Sequence, residues 1–154
     1  HGTDIMGNSI GNPTSFYIAC AANPSADNLD SEVEKLERKA EAGTNIIFTQ
    51  PLFEMNTLET FLKRIGHLNI PVMLGIIPLR SYKHADFLHN EVPGMRIPEK
   101  FREMMRNADK DAAKVGIKLS MDFIKEAKPC VAGMYMMPPF QKYHIVDELL
   151  SVVS

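Results

Sequence analysis

Gln50, closing the run IIFTQ, is the most informative polar residue in this chain of 154 residues. A primary amide both donates and accepts hydrogen bonds. At the end of a buried strand it suits a heterocycle with an amide-like edge, and equally it could satisfy backbone groups of the following loop. Spacing leaves those two readings level. Arg38 and Lys39 form an isolated basic pair on a helical stretch, for which a solvated face is the better reading. Arg80 follows an apolar run, where it could meet an anionic ligand or pair with a nearby carboxylate. Met134, Tyr135, Met136 and Met137 are core residues by default, although one or two could line a pocket, since methionine adapts to flat ligands. The five histidines are scattered, with neither HxxxH nor HxH spacing, so no metal site is assigned. No GxGxxG, Walker loop, GxSxG or HExxH occurs, and no Ser/His/Asp or Cys/His set can be defended, so no catalytic residue is assigned either.

The elements that must position these residues alternate in kind. Four apolar runs, at 16–22 (FYIACAA), 46–50 (IIFTQ), 72–77 (VMLGII) and 131–137 (VAGMYMM), lack the in/out alternation of a half-exposed sheet. They read as parallel strands buried on both faces. Between them lie amphipathic stretches. Residues 30–42 place Leu29, Val33, Leu36 and Ala40 on one stripe, with Ser31 and Glu34 at capping-box spacing and Gly43 as a stop. Residues 57–68 carry Leu58, Phe61, Leu62 and Ile65 on one face, with Asn56 as the expected cap. Helices are also expected at 81–90, at 99–107 after Pro98, at 109–128 burying Val115, Leu119 and Phe123, and at 142–153. A Pro-Gly turn at 93–94 splits the long third connection.

Four βα units in series imply a parallel sheet with right-handed crossovers. Two closures follow: a small open α/β sheet, or half of an eight-stranded barrel, since a whole barrel needs about 250 residues. In either, function gathers at the C-terminal strand ends, here Ala22-Asn23-Pro24, Thr49-Gln50-Pro51, Pro78-Leu79-Arg80 and Pro138-Pro139-Phe140. Proline follows all four runs and stiffens each exit.

Composition bounds the partners. A net charge of -2 gives no argument for nucleic acid or a membrane surface, and no apolar run reaches the length of a membrane span. Residues 1–12 are polar and Gly-rich, unlike a signal peptide, and 1–15 read as an opening loop that does not start at Met, a hint of missing upstream sequence. Cys20 and Cys130 are too few for a disulfide scaffold. A cytoplasmic protein is expected.

Several segments, in order, resemble methylenetetrahydrofolate reductases. NIIFTQPLF, two residues after Ala42-Gly43, resembles the family's AGA…TQ segment, and GIIP its GI-P strand end. GNPTSFYIACAANPSADNLDSEVEKLERKAEAG resembles the stretch around the family's fifth strand and helix. LRSYKHADFLHNEVPG and YMMPPFQKY are similar to a subgroup in which the reductase is fused behind a homocysteine S-methyltransferase. The likeness runs from about Gly7 to Leu150.

The resemblance implies a (β/α)8 TIM barrel of which residues 1–154 supply units five to eight. It implies FAD as cofactor, NAD(P)H as reductant, and reduction of 5,10-methylenetetrahydrofolate to 5-methyltetrahydrofolate. Gln50 matches the glutamine that bonds the folate pterin, and Arg38 and Lys39 a basic pair that helps hold FAD. Glu32 falls at an acidic FAD contact and Leu88 at an apolar position near the shared folate/nicotinamide site. Met136 and Met137 occupy a strand end used against substrate. Asn23 stands where many members have a flavin-side Tyr, and a short deletion follows it. The family's acidic catalytic motifs lie in the first barrel half and are not in this sequence, so the fragment alone is expected to be inactive. The alternative is a self-associating half-barrel or binding module, and with open strand edges a homo-oligomer is expected.

Overall fold

The computed structural model describes residues 2–153. Four strands, β1 (Ala19–Ala22), β2 (Ile46–Pro51), β3 (Val72–Ile76) and β4 (Gly133–Met136), form one sheet in the order β1-β2-β3-β4. All three pairings are parallel. The helices are α1 (Leu29–Glu41), α2 (Met55–Ile65), α3 (Tyr82–Glu91), α4 (Glu99–Ala108), α5 (Ala112–Ala127) and α6 (His144–Leu150). This is the expected α/β architecture: four βα units in sequential order, as in half of a barrel.

The strands are not covered on both faces, which corrects the reading of the apolar runs. In β2, Ile47, Thr49 and Pro51 are buried, whereas Ile46 and Phe48 are half-buried and Gln50 is exposed. Alternation of this kind means helices cover one face only. On that face α1 and α2 pack Val33, Leu36, Phe61 and Ile65 against Ala22, Ile47 and Val72. Next to them α2, α5 and α6 pack Leu58, Phe123, Ile124, Ala127, Ile145 and Leu149 against Leu74 and Ile76. The other face, which lines the lumen in a barrel, presents exposed Ala19 and Ala21 beside Phe48 and Tyr135, whose rings sit 5.3 Å apart. The apolar runs look continuous because a barrel interior is filled by side chains too.

Local details differ from expectation for identifiable reasons. β1 begins at Ala19, and Phe16, Tyr17 and Ile18 are exposed. Asn28, not Ser31, caps α1, its side chain accepting from the Ser31 N–H at 3.0 Å. Asn56 lies inside α2, whose first turn starts after Glu54 with no side-chain cap. Gly43 stops α1 as expected, at φ +103°, a conformation that costs glycine little.

In α5 the buried face runs through Ala112, Gly116, Ser120, Phe123, Ile124 and Ala127, and Val115 and Leu119 are only half-buried. The small residues face inward because α5 lies almost against the chain beyond β3: a Cβ on Gly116 would sit 1.8 Å from the Leu79 carbonyl oxygen. A third cluster joins Leu79 to α3, α4 and the connecting segment through Ala85, Leu88, Met95, Ile97 and Met105. Among the described residues no helix is long and apolar enough to cross a membrane, and no group of three His, Cys, Asp or Glu could hold a metal ion.

Candidate functional site

Parallel strands of one sheet end on one rim, so Asn23, Gln50, Arg80 and Met137 are brought to the same edge of the molecule. Gln50 owes its place to a local irregularity. β2 and β3 pair regularly through Ile47↔Val72 and Phe48↔Met73, then resume at Pro51↔Gly75. β2 thus spends one residue more than β3, a β-bulge, and Gln50 lies inside it. Its neighbours Thr49 and Pro51 are buried, and the Gln50 side chain is exposed with no partner among the described residues. A free amide held on a stiff strand end can present a donor and an acceptor to one edge of a ligand.

The β1–α1 corner gathers three of the four sequence-selected cofactor residues. Glu32 Oε1 accepts the Asn23 backbone N–H at 2.9 Å, and Lys35 lies 3.8 Å from Glu32 Oε2. Asn23 Oδ1 in turn accepts the Ser25 N–H at 3.0 Å, closing an Asx turn. Lys39 reaches back along α1 and donates to the Ala21 carbonyl at 2.7 Å. Arg38, one residue earlier, points elsewhere: it is exposed and has no side-chain partner among the described residues. Beside Asn23, Glu32 and Lys35 lies a cleft of about 440 Å³, whose far wall is the segment from His89 to Arg96. Gly94 at φ +78° comes so close that a Cβ there would sit 2.5 Å from Asn23 Nδ2. An ion pair between Arg96 and Asp27 ties the two walls. Beyond it a second cleft of about 560 Å³ continues towards Leu52–Glu54 and the start of α2.

At the β3 and β4 exits, Arg80 lies 5.4 Å from the Phe140 ring centre, and His84 5.6 Å from the same ring. His84 Nδ1 accepts the Arg80 N–H at 3.3 Å. Burial first, and the Arg80 charge second, hold the His84 imidazole below its usual titration range. Phe140 and Gln141 adopt left-handed backbone at φ +54° and +59°, which strains residues bearing a Cβ, and Phe140 stays exposed.

Three sequence-selected substrate residues land differently. Leu88 is 6% exposed and packs in the α3–α4 core. Met136 packs with Met134 against the helix-side cluster. Met137 is half-buried just past β4, its N–H bonded to the Ile76 carbonyl at 2.9 Å. Sequence reasoning passed over His84 and Arg96, and took Tyr135 only as a core or pocket-lining residue. His84 had a usable signal, one turn after Arg80 behind the N-cap Ser81. Nothing in the sequence pairs Arg96 with Asp27 or carries Tyr135 across β3.

Comparison with known proteins identifies the family and the fold. The family model described as methylenetetrahydrofolate reductase matches residues 9–138. The 5,10-methylenetetrahydrofolate reductase of Escherichia coli K12 is 29% identical over 119 residues, 71% of this chain and 40% of that protein. A probable NADPH-type methylenetetrahydrofolate reductase of Caenorhabditis elegans is 32% identical over 74 residues, 44% of this chain and 11% of its own. The chain therefore spans less than half the length of these relatives. Among solved structures, an uncharacterized protein from Clostridium thermocellum, described as binding two copies of 5-methyl-5,6,7,8-tetrahydrofolic acid, matches 88% of this chain and 51% of its own. The TM-score is 0.61 at 18% identity, a likeness of fold. With its model matched across most of the sequence and the βα order intact, this chain belongs to the methylenetetrahydrofolate reductase family.

Proposed function

We propose that this chain forms the C-terminal half of an FAD-dependent barrel that reduces 5,10-methylenetetrahydrofolate to 5-methyltetrahydrofolate with NAD(P)H in the cytoplasm. The observation that carries the proposal is the unpartnered Gln50 amide, presented on a bulge at the strand-end rim within the matched family segment. The folate named for the Clostridium thermocellum protein supports the same ligand class. In this reading Gln50 takes the amide-like edge of the pterin and Met137 borders the folate. Leu88 and Met136 support the rim from beneath.

The β1–α1 corner fits part of an FAD site by the chemistry of its donors. Glu32 is placed to accept a hydroxyl, Lys35 and Lys39 offer ammonium charge, and Gly94 lets backbone approach Asn23 closely. Arg38 joins only at the outer end of a long ligand. FAD, when bound, supplies the two-electron relay between NAD(P)H and folate. This chain's own task is to hold and orient, since the acidic catalytic motifs implied by the family resemblance belong to the first barrel half, and the rim imidazole of His84 spends Nδ1 on the Arg80 N–H. The chain alone is therefore inactive, and the first four barrel units complete the site.

Flavin fluorescence quenching tests this. The chain is expected to bind FAD, Lys39→Ala to weaken binding, and Gln50→Ala to leave it unchanged. NAD(P)H oxidation by the isolated chain, with FAD and menadione supplied, would overturn the assignment of catalysis to the complete barrel. Absence of FAD binding would remove the cofactor corner. A second reading has its own observation: the Ala19, Ala21, Phe48 and Tyr135 face carries no helix, so a half-barrel without its other half self-associates. Light scattering after size exclusion checks it, and a monomer at high concentration counts against it.

A further inference from the structure

Resting on the reading of Gln50 above, we propose that Tyr135 is a positioning residue for Gln50. Reaching across β3 from β4, its hydroxyl pins the Thr49 carbonyl and so holds the bulge on which Gln50 is presented.

Tyr135 and Gly75 are Cα partners in the β3–β4 pairing. A side chain at position 75 would block the path across β3. A Cβ there would lie 2.8 Å from the Tyr135 hydroxyl and 3.0 Å from the Thr49 oxygen. With glycine in that place the phenol passes over β3 and donates to the Thr49 carbonyl at 2.5 Å. The ring is steadied by Phe48, 5.3 Å away and tilted by 52°.

On the β3 side, the Gly75 N–H donates to Thr49 Oγ1 at 3.1 Å, and the Gly75 carbonyl accepts from the Leu52 N–H at 3.2 Å. Thr49 is 1% exposed, so its groups have no water to fall back on. At the slip in register, the Tyr135 hydroxyl therefore holds the Thr49 carbonyl while the Gly75 N–H holds the Thr49 hydroxyl. The consequence for Gln50 is geometrical. The Thr49 carbonyl and the Gln50 N–H belong to one planar peptide unit. Fixing that oxygen fixes the plane from which the Gln50 Cα departs, and so the direction of its side chain. Burial also raises the Tyr135 hydroxyl above its usual range, so at neutral pH it remains a donor.

The test compares Tyr135→Phe, Gly75→Ala, Gln50→Ala and the double variant Tyr135→Phe/Gln50→Ala in the full chain. One readout needs no ligand: the side-chain amide signals of Gln50 in ¹⁵N-edited spectra. They are expected to move in Tyr135→Phe and in Gly75→Ala. The other is titration with 5-methyltetrahydrofolate. Loss of one hydrogen bond's worth of positioning predicts roughly threefold to tenfold weaker binding for Tyr135→Phe. In the Gln50→Ala background the same change is expected to have no further effect, because there is no amide left to aim. Unmoved Gln50 signals in both Tyr135→Phe and Gly75→Ala, or an undiminished effect of Tyr135→Phe without Gln50, would overturn the proposal. If Gln50→Ala itself leaves folate binding intact, the ligand role of Gln50 fails, and the spectra alone decide whether Tyr135 positions it.

Discussion

Gly116→Ala is a sharp test of how this fold is packed, because it adds one methyl group where two backbones nearly touch. The new Cβ would lie 1.8 Å from the Leu79 oxygen, 2.7 Å from its carbonyl carbon and 3.1 Å from its Cα. No side-chain rotation relieves a clash with backbone. Restoring an ordinary 3.4 Å contact requires α5 and the segment after β3 to part by about 1.6 Å. Leu79, 2% exposed, would be pulled from the cluster it shares with Ala85, Met95, Ile97 and Met105. Overpacking of this kind costs about 3 kcal/mol at the upper end of its usual range. Alanine returns about 1 kcal/mol of helix propensity. The net expectation is a loss of about 2 kcal/mol, or a melting temperature lower by about 4–8 °C for a chain of this size. Urea unfolding followed by circular dichroism, with thermal melts alongside, gives both numbers. A variant as stable as the parent, or more so, would refute the close approach of α5 to Leu79, and with it the account of why small residues line that helix. Arg80 follows Leu79 directly, so the same variant is expected to loosen the Arg80–His84 contact at the rim.

Two further predictions concern the rim and its support. His84 has a depressed folded pKa, so the unfolded chain binds the proton more readily. Its contribution to stability is complete above the ordinary histidine value of about 6.5 and is lost as pH falls below that value towards the depressed one. His84→Asn is expected to flatten that part of the stability–pH profile, and an unchanged slope in urea midpoints across this range would contradict the assignment. Thr49→Val keeps shape but removes the acceptor of the buried Gly75 N–H, so it is expected to cost about 1–3 kcal/mol. Faster amide exchange at Gly75 should accompany it, and protection equal to the parent's would show that the bulge does not need the hydroxyl.

The βα order and the strand ends were legible in the sequence because apolar runs, prolines and helical stripes each carry a local signal. Gln50 could be singled out for the same reason: an amide that closes an apolar run stands apart from its neighbours. Its setting could not be read. The bulge arises from pairing between β2 and β3, and Tyr135 reaches Thr49 across a glycine on a third strand. The helix caps were misplaced by a few residues because Asn28 and Ser31 are both good caps, and the choice falls to whichever residue the preceding loop leaves in extended geometry. Leu88 and Met136 show the limit of matching by position. An apolar residue near a rim can face the ligand or the core, and only the packing of α3 on α4, or of β4 on the helix layer, decides which.

The sequential strand order also bears on how the chain reaches this state. Each strand neighbours the next one made, so Ala19 need only find Ile46, and Ile47 only Val72. The third closure, Met73 onto Gly133, spans more than twice as much chain. If that stretch were slack, each doubling of length would add about 0.6 kcal/mol of closure entropy. It is not slack: α3, α4 and α5 pack on one another within it and shorten the distance β4 must travel. Folding should therefore proceed as short steps along the chain, with docking of the α3–α5 block as the slowest.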